Sequence, residues 1–287
     1  MSATTSEPPP GLKPLSVTPP LGEYLAMIWR RRAFALEMSA GEFRAKHANT
    51  FLGSIWYVLN PLLLLGVYWL VFGVLLGVDR GVDNFVGFLA AGIFVYQFSQ
   101  RSITGGASSI AKNLSLIRSL QFPRALLPVS AVIREALTLR VALVVVAAIL
   151  LSTGEPVLIT WLVLLPLLGL QFLFNLGGAL IAARLADKVK DIENVLPFIF
   201  RLLFYGSGVI FLADRFIRDL NNPELWRTLF VLNPLYCFVS LPRHYLMSSL
   251  EQEHVTLMWL SVSTWTLVLL IGGLLFFRAG ERSYGRG

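Results

Sequence analysis

Ser108 to Pro128 reads SSIAKNLSLIRSLQFPRALLP, a short stretch of mixed polarity set between two long apolar runs. Wound as a helix, it places Ser108, Lys112, Ser115 and Ser119 on one face and Ile110, Leu114 and Ile117 on another. Pro123 then ends it before the next apolar run begins. The stretch is an amphipathic connector, and its meaning depends on what it connects.

The 287-residue chain is 55% hydrophobic and only 14% charged, where soluble domains carry about 25% charged residues. Its mean hydropathy is +0.67. These values describe an all-α integral membrane protein, and one helical bundle can use the whole length. The net charge of +7 sits at the ends of apolar runs, a placement that suits orientation in a membrane better than nucleic acid. The single Cys237 excludes an intrachain disulfide, a CxxC pair and a cysteine-based metal site, and His47, His244 and His254 make no zinc-binding pair. No metal or cofactor is expected in this chain.

Residues 1–20 contain six prolines and no apolar core, so they read as a disordered tail. Residues 21–287 read as a single transmembrane domain. Leu21 to Met38 is an amphipathic helix with Leu21, Tyr24, Leu25, Ile28 and Trp29 on one stripe. Its Trp29 and the Arg30, Arg31, Arg32 cluster suit a helix lying in the membrane interface. Spans follow at about 55–78, 85–103, 128–151, 157–183, 195–212 and 257–277, each near the ~20 residues that a bilayer core demands. The first carries Asn60-Pro61, where a kink is expected, and only Asp79 to Asn84 separate it from the second. Arg184 to Asn194 forms a charged loop. Residues 229–247, broken by Asn233-Pro234 and by Pro242, Arg243 and His244, read as short re-entrant helices whose backbone must be buried in protein or line a cavity.

Sixteen of the 24 Lys and Arg lie in the tail and first helix, the connector with Arg134, the 184–190 loop and the C-terminus. Five lie in the opposite set of loops. The positive-inside rule puts both termini and the connector in the cytoplasm, and six spans return the chain to that side. Arg101, Arg140 and Arg201 fall within or at the edges of spans, where a charge at the bilayer centre costs ~3 kcal/mol. Arg101 and Arg201 are near enough to the cytoplasmic face to snorkel. Arg140 lies deeper, and Glu135 or a wet cavity is its expected partner.

The dipeptide Gly-Lys occurs nowhere, which excludes the GxxxxGK[ST] phosphate loop. The GxSxG elbow is absent too, and no acidic residue lies mid-span for a proton relay. The chain therefore needs an external motor if it moves cargo.

Five stretches then carry a resemblance: FRAKHANTFLGSIWYVLNPLL at 43–63, NLSLIRSLQFPRALLPVS at 113–130, LADKVKDIENVLPFIFRLLFYGSGVIF at 185–211, VLNPLYCFVSLPRHYLM at 231–247 and FFRAGERSYG at 276–285. In that order and spacing they resemble the membrane subunit of type-2 ABC exporters, closest to the Wzm- and TagG-like permeases that export O antigen, teichoic acid or galactan. The resemblance implies a non-enzymatic permease in the cytoplasmic (inner) membrane. It also implies a homodimer of six-helix subunits, joined to two copies of a separate ATP-binding subunit that holds ATP and Mg. The connector resembles the coupling helix. Lys112 and Arg118 would meet acidic residues of the ATPase while Leu114, Leu116, Ile117 and Phe122 fill its groove, with Lys188, Lys190 and Glu193 in a lesser contact. Residues 229–247 resemble gate helices. At Arg140 the chain departs from the more apolar or acidic pattern of related permeases.

Spans one, two and five and the re-entrant segment are dense in aromatics, whose faces can slide along successive sugars without fixing one register. Tyr57, Tyr68, Phe94, Phe204, Tyr205, Phe211, Tyr236 and Tyr245, with Pro234 and Arg243, are the channel or gate candidates. A composition rich in Arg, Ala and Val leans toward galactan as cargo. Two rivals stand beside this reading: an exporter of a drug or small lipid in the same superfamily, and a polyprenyl-sugar glycosyltransferase with Asp79 or Asp83 as base.

Overall fold

Apolar runs in a bilayer find no water for their backbone and must close their own hydrogen bonds as helices. The computed structural model follows that rule: it describes residues 20–46, 50–77, 82–213, 217, 221–250, 252–281 and 284, with no strand among them. The expected tail before Pro20 lies outside the described residues, as do Lys13, His47, Asp79, Arg80, Arg215, Arg218, Arg282 and Arg286.

The amphipathic helix is longer than its pattern suggests and is broken once. Helix α1 (Leu21–Arg30) stops at Arg31, whose φ of −99° and ψ of 17° leave the helical range, and α2 (Arg32–Ala45) continues beyond. A 3-10 turn at Gly53–Ile55 opens α3 (Trp56–Tyr68), which runs through Pro61 and widens into a π-helical segment at Trp69–Leu75. Helix α4 (Phe85–Lys112) leads through Asn113 to the short α5 (Leu114–Ser119), then to α6 (Leu126–Ser152). A 3-10 stretch at Ile159–Val163 precedes α7 (Leu164–Lys188). The chain then forms α8 (Ile192–Gly206), α9 (Pro223–Leu232), α10 (Pro234–Leu246) and α11 (Val255–Ala279).

Among the described residues, Gly53–Leu75, Leu126–Ser152, Ile159–Lys188 and Val255–Ala279 are long and apolar enough to cross a membrane. Length and apolarity thus carry four crossings where the sequence reading expected six. The two others fail for different reasons. Helix α4 has 28 residues but carries Gln97, Gln100 and Arg101, which its setting tolerates because it is the inner helix of the bundle, buried from Phe85 to Tyr96 except at Val86. Helix α8 has 15 residues, about 22 Å of helix against a ~30 Å core. It ends at Ser207 and Gly208, whose φ of +61° turns the chain away before Leu212. The charged loop expected from Arg184 is also shorter, since α7 continues through Arg184 and Asp187 to Lys188.

In lipid, helices associate by close packing and polar contacts rather than by escape from water. Helix α4 sits between α6 and α7, and α11 packs on α7. At that last crossing a Cβ on Gly177 would lie 2.3 Å from the backbone of Leu269, and one on Gly273 would lie 2.5 Å from the Gly177 carbonyl oxygen. Only glycines allow such an approach. One polar contact ties α4 to α7: Gln171 of α7 donates its Nε2 to the Val95 carbonyl and the Ser99 hydroxyl, both at 2.9 Å. At the end of the bundle away from α5, Asn84 caps α4 by accepting from Gly87 N (2.9 Å) and donates to Thr153 (2.6 Å). Nearby, Glu155 accepts from the backbone and hydroxyl of Ser248 at 3.1 and 3.0 Å.

Candidate coupling site and gate

The α4–α5 junction turns on Asn113, which ends one helix and starts the next at φ −117° and ψ 26°. Its side chain donates to the Ser109 carbonyl at 2.8 Å. The two faces drawn over Ser108–Ser119 are therefore not continuous: Ser108 and Ile110 are buried within α4, and α5 is a separate six-residue helix with no buried residue. Lys112, Ser115, Arg118 and Ser119 are exposed, while Leu114, Leu116, Ile117 and Phe122 are half-buried.

Half-burial has a cause in each direction. Ile117 packs on a small core of the chain's own Tyr24, Ile110, Ala125, Leu180, Ala183, Phe277 and Tyr284. Phe122 meets Phe34 of α2 with ring centroids 5.1 Å apart. These contacts brace α5 from behind and leave Lys112, Ser115, Arg118 and Ser119 outward.

The brace is polar as well as apolar. Arg31, at the break between α1 and α2, donates to the Gln121 carbonyl in the segment leaving α5. Arg124 donates its backbone N–H to Glu281 Oε1 at 2.9 Å and its guanidinium to the Glu281 carbonyl. Burial, opposed by Arg124, pushes the Glu281 carboxyl above the usual carboxylate range. Burial and then Glu281 push the Tyr24 phenol up. Tyr284 donates to the Phe277 carbonyl (2.8 Å) and lies under the Arg184 guanidinium at 5.6 Å. So α1, the start of α6, the end of α7 and the segment after α11 converge behind α5. Lys188 lies 5.9 Å from the Phe276 ring. Lys188 and Lys190 are exposed beside this cluster, and Glu193 is half-buried in the first turn of α8. The sequence reading missed Tyr24, Arg124, Glu281 and Tyr284 as a group, because Arg124 and Glu281 stand 157 positions apart.

On α1, Trp29 is 69% exposed and Arg32 stacks over its ring at 4.7 Å. Arg30 lies in the last turn of α1.

At the opposite end, α9 and α10 meet at Asn233, whose side chain accepts from Leu235 N at 3.0 Å and so caps α10, with Pro234 at its first position. Arg243 of α10 is 2% exposed. Its guanidinium donates to the carbonyls of Phe88 (3.1 Å), Gly208 (2.8 Å) and Val209 (2.5 Å). It also lies 3.4 Å from the centroid of the Phe88 ring. A Cβ on Gly92 would stand 2.1 Å from its Nη2, so the glycine makes room for the arginine. Arg243 thus ties α10 to α4 and to the turn after α8 and is fully committed there. Tyr236 packs on Phe230 at 5.1 Å. Tyr245 accepts from Trp259 Nε1 at 3.0 Å.

The aromatic candidates divide. Tyr68, Tyr96 and Phe204 form one packed cluster, with Phe204 5.4 Å from Tyr68 and 5.2 Å from Tyr96. Tyr57 is stacked on Phe43 at 4.2 Å, and Phe94 is buried. Tyr205 and Arg201 are exposed on α8, and Phe211 is half-buried in the turn beyond it. Arg140 is exposed on α6. Its expected partner Glu135 is engaged elsewhere, accepting from Arg134 Nε at 3.1 Å, and Arg134 also bonds Glu42 of α2.

These elements make a helical membrane bundle with an exposed connector helix. The chain belongs to the ABC-2 type transporter family, whose model matches residues 36–247. It is 25% identical over 238 residues to the O-antigen export system permease protein RfbA of Klebsiella pneumoniae, covering 82% of this chain and 87% of that protein. A protein of the same description from Myxococcus xanthus is 27% identical over 211 residues, covering 72% and 78%. The polysialic acid transport protein KpsM of Escherichia coli is 28% identical over 255 residues, covering 84% and 91%.

Proposed function

We propose that this chain is the channel-forming subunit that moves a lipid-linked cell-surface polysaccharide outward across the cytoplasmic membrane, driven by a separate ATP-binding subunit. The observation that carries this reading is α5: a short exposed helix braced by four elements, a shape suited to receiving force and passing it on as rigid-body movement. Two relatives with different printed cargoes, O antigen and polysialic acid, are both glycan transporters, which supports a polysaccharide over a drug or small lipid. Galactan and teichoic acid are narrower cargoes within that class.

In the assembly we envisage, two copies of the chain enclose the channel and two ATPase copies, carrying ATP and Mg, dock on α5. Lys112, Leu114, Leu116, Arg118 and the neighbouring Lys188, Lys190 and Glu193 form the docking face, while Ile117 and Phe122 hold it in place. Helices α4 and α8 complete six spans, with both termini cytoplasmic. Inside the bundle α4 needs no lipid-facing apolarity, and α8 pairs with the turn that Arg243 holds.

The test is reconstitution of the chain with its ATP-binding subunit, in liposomes offered candidate lipid-linked glycans from outside. ATP-dependent glycan uptake into the lumen of inverted vesicles is expected. Uptake of small hydrophobic drugs alone would favour the rival exporter, and glycan extension without ATPase would favour the glycosyltransferase.

A further inference from the structure

Near the α5 end of the bundle an open cleft lies between the end of α2, the start of α3, α4 and α6. Its charged lining residues are Lys46, Arg101 and Glu135. Glu135 is already bound by Arg134 at 3.1 Å, and Arg134 is also paired with Glu42. Among the described residues, the side chains of Lys46 and Arg101 make no ion pair or hydrogen bond, and both are exposed to the cleft's surroundings. Counting the two pairs with the two unmatched cations, this group carries an excess of one positive charge.

Partial burial holds the Lys46 ammonium below its ordinary range; Glu135 opposes this, and Arg101 and Arg134 add smaller pushes in the same direction as burial. Two like charges sharing one cleft repel, and a bound anion between them removes that repulsion. The other polar lining groups are the amides of Asn60 from α3 and Gln97 from α4, the latter one turn before Arg101, and the hydroxyls of Tyr57 and Thr138, which donate to the Phe43 and Arg134 carbonyls. Trp56 supplies an aromatic wall.

We propose that this cleft binds the phosphate or pyrophosphate group of a lipid-linked glycan, with Arg101 and Lys46 on the anionic oxygens, Asn60 and Gln97 as neutral donors, and Trp56 against the first sugar. An arginine fork and a lysine point charge are the usual means of holding such oxygens. The cleft lies at the charge-rich end, where cargo is loaded in an outward exporter. This assignment rests on the export reading for the identity of the lipid's cargo.

The test uses the full chain in nanodiscs and measures equilibrium binding of geranylgeranyl pyrophosphate, with inorganic pyrophosphate, geranylgeraniol and phosphatidylglycerol as comparison probes. Lys46→Gln and Arg101→Gln are expected to weaken binding of the pyrophosphate lipid by about tenfold each. Arg101→Lys, which keeps the charge, is expected to retain most of it. Inorganic pyrophosphate should compete and geranylgeraniol should not. Unchanged affinity in the Lys46→Gln, Arg101→Gln double variant would overturn the proposal, and so would equal competition by phosphatidylglycerol, which would make the cleft a site for bulk anionic lipid. A wild-type chain that exports glycan but fails these binding tests removes the cleft and leaves the export reading. One that binds the pyrophosphate lipid through these residues but exports nothing with its ATPase supports the cleft and removes the export reading.

Discussion

Removing the Arg243 guanidinium strips donors from the carbonyls of Phe88, Gly208 and Val209 and a cation from the face of the Phe88 ring. Arg243→Ala should therefore destabilise the protein by about 3 kcal/mol or more, as unpartnered buried polar groups do, read as a lower melting temperature in detergent. Arg243→Lys cannot reach three carbonyls at once and should recover little. Gly92→Ala pushes into the same guanidinium, so its effect combined with Arg243→Ala should be far from additive. An additive double mutant would mean the two do not share one site. The sequence marked Arg243 as a gate candidate on the strength of its Pro-Arg-His interruption, but nothing local pointed to Gly92 or to the turn at Gly208. Those partners lie 151 and 35 positions away, and only the packing of α10 on α4 brings them together.

For α5 the arrangement separates two kinds of substitution. Reversing the exposed charges, Lys112→Glu with Arg118→Glu, should leave folding intact and reduce copurification of the ATPase by tenfold or so, the scale of a lost charged contact. Ile117→Asp acts from behind, placing a carboxylate in the cluster of Tyr24, Ile110 and Phe277. It should lower the melting temperature as well as export. The same cluster makes a pH prediction. Burial raises the Glu281 carboxyl above its ordinary 4.5, so the folded state holds that proton more tightly than the unfolded state. The associated stability is present below about 4.5 and is lost as pH rises through the raised value. Melting temperatures of the wild type and Glu281→Gln, measured across that window, should converge at the acid end in their pH slopes and diverge within it. Parallel curves throughout would mean Glu281 is not buried as described. Helix periodicity made α3, α6, α7, α10 and α11 legible because their apolar runs are long or are bounded by Asn-Pro and Gly. It misjudged α5, where Asn113 breaks a pattern that the residue types alone would continue, and α8, where a positive-φ Gly208 ends the helix early.

Across the described residues, the least covered apolar surface lies on α3 with its π-helical continuation and on α8, where Val67, Trp69, Leu70, Val74, Phe198 and Leu202 are exposed. Lipid or a second copy of the chain must meet it, and charge distribution, which fixed the expected orientation, says nothing about which. The central claim is that work enters at α5 from another protein, and it is accessible to one measurement. The native Cys237 is buried, so Ser115→Cys places a single reactive thiol on the exposed face of α5 in an otherwise silent background. With the ATP-binding subunit coexpressed and the membranes treated with a short thiol-to-amine cross-linker, one adduct between the two proteins is expected, with a yield that changes on ATP binding. Cross-linking to lipid or to nothing, while the two proteins still copurify and export, would contradict it.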